Sequence, residues 1–342
     1  MMETNVRFGL RYRSARKTLN GSFKSAIRCS RIASFSRIQI LLGPRRDLAC
    51  AFKIDLWRDM AGRSITNRTI WTTWYQGLDH APALVHACLA SWRKFNPDWR
   101  VVLVDQNSAR DWIDLQNVID LKRRDITPQR TSAFTRLCLL KQYGGVWADA
   151  TVFCLRPLDT WLPEYYATGF CAFRNPGPDR LFSSWFLAAE VENPIVAALH
   201  NAYVKFMNSQ EFSNQDTEFG RAAIKALEPI LNKNARRTIR WLSPRLQERV
   251  QAYPYFILHY TFNKVVLTSP ELRALWDQAR PLNASSPQSL QDYAREKHAL
   301  AKALYMIDRE VWPLQKLNWR ADLTTQYWSG VLKRLNDSLP KQ

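Results

Sequence analysis

The stretch "LLKQYGGVWADATVF", residues 139–153, holds the pattern from which the fold can be read. An apolar helix end runs into Gly144 and Gly145, because glycine accepts the left-handed conformation that closes a helix. Two short strand pieces follow, interrupted at a single acid, Asp149. A carboxylate at the end of a buried strand can cap a turn. It can also hold a metal or a sugar nucleotide, and the surrounding chain has to decide between these roles.

Upstream, "SAFTRLCLLKQY" (residues 132–143) is the helix that enters the glycines. Ala133, Phe134, Leu137 and Leu140 share one face at helical spacing, and Arg136 is expected to point away from it. Further back, "RTIWTTWYQG" begins with a β-branched and aromatic strand, Thr69 to Trp74. Pro82 opens a helix whose apolar face is Val85, Cys88, Leu89, Trp92 and Phe95, and Asn96-Pro97 stops it. "WRVVLVD" then forms a second apolar strand that ends at Asp105. Strand, helix and strand in this order predict a βαβ unit with parallel strands. The fold class is therefore α/β and Rossmann-like, with a mostly parallel central sheet flanked by helices. Ligands of such sheets bind beyond the carboxyl ends of the strands, where Trp74, Gln76 and Asp105 fall. The chain has no GxGxxG phosphate cradle. Downstream, residues 183–207 and 216–231 read as helical, "YPYFILHYTF" (residues 253–262) as strand-like or buried, and the chain from about residue 266 as mostly helical.

With 342 residues, 46% hydrophobic and 23% charged, the chain is globular and can bury a full core. Its net charge of +19 is uneven: residues 1–68 hold 15 Lys/Arg against 4 Asp/Glu. Such an excess attracts nucleic acid, anionic lipid or phosphorylated substrates, or simply solubilises the chain. "SFSRIQILLGPRR" could lie on a membrane or pack as an ordinary helix. No apolar run approaches the ~18 residues that span a bilayer. The start, "MMETNVRFGLRYRSARK", has no compact apolar segment behind its basic residues and is not expected to be a secretory signal. The six cysteines form no CxxC pair, which suits a reducing cytosol better than a disulfide framework or a zinc site. The expected organisation is a basic arm over residues 1–66, a catalytic domain over 67–265 and a helical extension over 266–342. The expected location is cytoplasmic, with the arm as a candidate contact to the inner face of the plasma membrane.

Seven segments occur in order: "IWTTWYQG", "VHACLASWRKFNPDW", "DITPQ…R", "LLKQYGGVWADATVF…RPLD", "SSWFLAAEVENPIV", "YFILHYTFN" and "LQKLNWR". Together they resemble the bacterial capsular polysaccharide synthesis proteins, relatives of the glycosyltransferases that share a DXD motif with fungal outer-chain mannosyltransferases and clostridial glucosylating toxins. The resemblance covers roughly residues 67–320. It implies a GT-A fold, a nucleotide-sugar donor, a glycan or glycolipid acceptor and hexosyl transfer with retention of configuration. It also implies a divalent cation, Mn²⁺ or Mg²⁺, held by Asp149 and His259. Asp149 and Arg136 would be catalytic. Trp74, Gln76, Asp105, Ser132, Gly145 and Thr151 would contact substrate, and Lys316, Asn318 and Trp319 would come over the donor phosphates. Two departures stand out. The triplet after the glycine strand is Asp149-Ala150-Thr151, so the second acid is missing. On the preceding helix, Ser132-Ala133-Phe134-Thr135-Arg136 keeps the arginine and lacks the acid.

The lost acids leave a competing expectation, a non-catalytic nucleotide-sugar or glycan-binding protein. A nucleic-acid binder is suggested by charge alone. It would need aromatic platforms among the basic residues, of which the arm has few, and the βαβ core does not need nucleic acid to explain it, so no nucleic-acid partner is expected.

Overall fold

The computed structural model describes residues 65–119, 127–210, 217–309 and 311–339. The expected basic arm, with its amphipathic segment, falls almost wholly outside these residues. The described residues belong to one compact unit.

The expected βαβ unit is present as β1 (Thr69–Thr73), α1 (Ala83–Phe95) and β2 (Arg100–Val104). The two strands are parallel, with Thr69 opposite Arg100 and Thr73 opposite Val104. Helix α2 (Pro128–Tyr143) ends at Gly144, whose φ is +66°, and β3 (Gly145–Ala148) follows at once. Gly145 has φ +90°, and a Cβ there would come within 2.6 Å of the Thr69 carbonyl oxygen. Only glycine lets β3 approach β1 this closely. The pairing Ile70–Val146 and Trp71–Trp147 sets the alternation. Trp71 and Trp147 enter the core under α2 with Phe134 and Leu137. Ile70 and Val146 enter the core on the other face with Trp92 and Phe186. Both faces of the sheet are thus covered, as parallel strands require.

The chain continues through β4 (Val152–Cys154), β5 (Phe170–Gly177), β6 (Arg180–Ala189) and α3 (Pro194–Asn208). Helices α4 (Glu218–Leu231), α5 (Pro244–Val250), α6 (Ile257–Thr268) and α7 (Pro270–Gln278) come next. The last elements labelled are β7 (Leu282–Asn283), α8 (Ala299–Asp308), β8 (Leu314–Lys316) and α9 (Gln326–Asp337). The central sheet runs β2-β1-β3-β6-β5-β7, and three of its five pairings are parallel. β4 and β8 form a separate antiparallel ribbon.

Two segments differ from the sequence expectation. Residues 183–189 belong to strand β6, not to a helix, and helix begins at Pro194. β6 lies between β3 and β5, with Leu187 and Ala189 on one core face and Phe186 and Ala188 on the other. A strand buried on both faces reads as a continuous apolar run, which periodicity does not separate from a buried helix. The segment "ILHYTF" is the start of helix α6, buried but not a strand. Its β-branched and aromatic residues favour strand locally. Packing overrides this: Ile257, Phe262 and Val266 join the core under α2, and Asn263 donates to the Asp179 carbonyl at 2.7 Å. The region after residue 265 is mostly helical, and it also supplies β7 to the central sheet and β8 to the ribbon.

Candidate functional site

Asp149 follows the last residue of β3, at the carboxyl end of the strand. Its amide donates to the Trp185 carbonyl at 2.8 Å, and its carbonyl accepts from the Val152 amide at 2.9 Å. The backbone therefore turns from the sheet into the β4–β8 ribbon at this residue. The side chain, 28% exposed, faces an unusual set of donors. Arg136 Nη2 donates to Oδ1 at 2.9 Å, and Trp147 Nε1 donates to the same oxygen at 2.9 Å. Lys316 Nζ lies 3.6 Å from Oδ2 and also donates to the Thr151 hydroxyl.

Arg136 does not point away from the buried face of its helix. It is buried, ion-paired to Asp149, and its guanidinium lies 4.8 Å from the centre of the Trp147 ring. An arginine can enter a core when a carboxylate and an aromatic face receive it together. Burial pushes the Asp149 carboxyl upward, but Arg136, then Lys316, then the Trp147 hydrogen bond together outweigh it. The carboxyl is held below the usual carboxylate range, and Asp149 is an anion at neutral pH.

Lys316 reaches Asp149 because β8 pairs with β4, placing Lys316 opposite Val152, and the Leu317 amide donates to the Thr151 carbonyl at 2.8 Å. Three residues on, Trp319 is 46% exposed and packs edge-to-face with Trp74, their ring centres 6.0 Å apart. Trp74 lies just beyond the carboxyl end of β1, and its buried Nε1 has no hydrogen-bond partner among the described residues. Tyr75, next to it, bonds the Thr135 hydroxyl at 2.6 Å and ties this loop to α2.

The structure thus brings Asp149, Arg136, Thr151 and Lys316 into direct contact and pairs Trp74 with Trp319. Other candidates lie elsewhere or have local roles. Gly145 starts β3, at the opposite end of the strand from Asp149, and serves the close approach to β1. Asp105 Oδ1 accepts from the Asn107 and Ser108 amides at 2.9 and 2.8 Å, so the residue closes the turn after β2. Its Oδ2 faces Gly77 in the loop after β1. The Asn318 side chain accepts from the Arg320 amide at 3.0 Å and shapes the turn that presents Trp319. Gln76 is exposed, and Ser132 is partly buried one helical turn before Arg136. Trp147, Tyr75 and Thr135 escaped the sequence reading. Period-two alternation could have found Trp147, since residues 147 and 149 share a side of the strand.

His259, on α6, lies between the rings of Phe182 and Phe256, at 5.1 and 5.3 Å. Burial pushes its pKa down to about 3, with Arg180 and Arg136 adding to the effect and Asp149 opposing it. The imidazole is neutral, and its buried Nδ1 has no hydrogen-bond partner among the described residues.

These donors do not fit a divalent cation. Asp149 Oδ1 is already taken by Arg136 and Trp147, and Oδ2 faces Lys316. A dication roughly 5 Å from either cation would be repelled by several kcal/mol even at an effective dielectric of about 20. No group of three His, Cys, Asp or Glu among the described residues converges on a metal position. What the cluster suits is an anion with hydroxyl groups beside it. Lys316 and Arg136 supply fixed positive charge, Asp149 accepts hydrogen bonds, and the tryptophan pair offers an apolar wall.

Residues 57–215, just under half of the chain, match the family described as capsular polysaccharide synthesis protein. The chain is 25% identical over 181 residues to the O-glycosyltransferase braB of Annulohypoxylon truncatum, covering 46% of this chain and 42% of that protein. It is 33% identical over 103 residues to the glycosyltransferase afumC of Aspergillus fumigatus, covering 27% of this chain and 26% of that protein. The matched segments thus span less than half the length of either relative. A solved structure, PaToxG Glycosyltransferase, matches 65% of this chain and 96% of its own at 13% identity, with a TM-score of 0.32, too low to bear on the fold. The chain is related to glycosyltransferases. The family match contains Trp74, Arg136 and Asp149 and stops short of Lys316 and Trp319.

Proposed function

We propose that this protein is a glycosyltransferase that moves a sugar from a nucleotide-sugar donor to a surface polysaccharide or glycolipid. The observation that carries this proposal is the Arg136–Asp149–Lys316 cluster at the carboxyl end of β3, inside or beside the region related to glycosyltransferases. Donor cleavage breaks the bond between the sugar's anomeric carbon and the diphosphate, and negative charge grows on the leaving phosphate. Lys316, 21% exposed, can turn its ammonium to that phosphate, while Arg136 supplies a second fixed charge behind it. Asp149 accepts from hydroxyls of the donor. Trp74 and Trp319 provide the aromatic wall for its base or sugar. No step is assigned to a metal. Hexosyl transfer with retention of configuration is the stereochemical form that the resemblance implies.

Non-catalytic nucleotide-sugar binding is favoured by one observation. Thr151 occupies the place of the second acid, and its hydroxyl is engaged by Lys316. A thermal-shift screen of nucleotides and nucleotide sugars, followed by donor turnover, tests both. A ligand of the folded state raises the melting temperature by mass action. Binding with hydrolysis or transfer supports the enzyme, and binding without turnover supports the second role. Failure of every nucleotide sugar to bind would remove both.

A further inference from the structure

Helix α4 carries a surface that the site does not use. Leu231 and Gly220 are buried and Ile224 and Leu227 partly so, which fixes the face toward the core. Beside that face runs an exposed apolar strip: Phe219, Ala222, Ala226 and Ile230, spaced three, four and four residues apart. Phe219 is 67% exposed and Ile230 52% exposed. Aromatic and branched side chains left in water along one helix strip mark a surface that another phase or molecule covers.

The turn that follows the strip is cationic. From Pro229 to Gln247 the chain holds Lys233, Arg236, Arg237, Arg240 and Arg245 and no acid, and all five are exposed. Arg237 Nη1 donates to the Ile230 carbonyl at 3.4 Å, which fixes a guanidinium at the end of the apolar strip. Glu218 and Glu228 are the acids of α4 itself.

We propose that the α4 strip and the cationic turn after it are a docking surface for an anionic lipid bilayer. Phe219 and Ile230 enter the acyl boundary, and the five cations meet the headgroups. Charge selects this occupant. Residues 1–68 hold 15 Lys/Arg against 4 Asp/Glu, so that segment does not complement a cationic turn, and neither does a second copy of the same turn. No described helix is long and apolar enough to cross a membrane.

The test sediments the full-length protein with phosphatidylserine-containing vesicles and with pure phosphatidylcholine vesicles. F219S/I230S is expected to lower partition into the anionic vesicles by at least about tenfold, with the fold retained and at most a small drop in melting temperature, because more than half of each residue is in water in the free protein. K233Q/R236Q is expected to lower partition and to flatten its salt dependence. Unchanged partition of F219S/I230S would overturn the proposal. So would equal binding of the wild type to both vesicle types. A wild-type dimer that F219S/I230S converts to monomer, with partition unchanged, would assign the strip to a second copy instead.

Discussion

Lys316 Nζ lies 3.6 Å from Asp149 Oδ2, although almost half the chain separates the two residues. The contact joins the end of a central sheet strand to a C-terminal ribbon strand, and it gives Asp149 a second cation. A carboxylate held between a buried guanidinium and a partly buried ammonium is ionised, oriented and difficult to replace.

Asp149→Asn is expected to reduce transfer by at least about 100-fold, since it removes the one fixed anion of the site. It should also destabilise the fold by about 1–3 kcal/mol, because Arg136 stays buried without a charged partner. Urea melts and initial rates check the two effects. The carboxyl's folded-state pKa is depressed, so its stabilisation is present above the usual carboxylate value of ~4 and is lost as pH falls through the lower folded value. Full transfer with unchanged stability would reduce Asp149 to a turn residue.

Lys316→Met should weaken binding of a nucleoside diphosphate by about 10- to 100-fold and of the free nucleoside far less, because the lost interaction is with phosphate charge. In the wild type, nucleoside diphosphate binding should be the same in EDTA as in Mn²⁺. Calorimetric titration reads both. A need for Mn²⁺ would return Asp149 and His259 to the role of metal ligands.

Trp319→Ala should leave the melting temperature unchanged, as nearly half of the side chain is in water. It should raise the donor KM by about tenfold, the scale of one lost aromatic stacking contact. Steady-state kinetics at saturating acceptor would show the change in KM with little change in kcat. An unaltered KM would confine Trp319 to packing against Trp74.

His259 acts on stability in a different pH window. Its folded pKa of about 3 lies below the unfolded value of ~6.5, so the unfolded chain binds the proton first. Stability is full above ~6.5 and falls as the pH drops toward 3, by about 1–2 kcal/mol between pH 7 and pH 5. His259→Phe keeps the aromatic contacts with Phe182 and Phe256 and should flatten the dependence over that range. Melting curves at pH 7, 6 and 5 for both proteins decide this. Parallel curves would mean that His259 is solvated in the folded state.

The βαβ unit, the glycine stop after Tyr143 and the break of the strand at Asp149 were legible because each rests on local chemistry. Apolar spacing, a proline at a first turn and two glycines at a cap act within a few residues of themselves. Helix α6 and strand β6 were not legible, because residues buried on all sides lose the periodicity that separates helix from strand. The inward turn of Arg136 was hidden for a related reason. Sequence spacing puts it off the apolar face, and only Asp149 and the Trp147 ring make its burial favourable. The sequence by itself determined the class of the sheet and the position of the acid at a strand's end. The tertiary structure alone decided that Lys316 and Trp319 return to that acid, since the pairing of β8 with β4 depends on contacts between distant segments that no local pattern encodes.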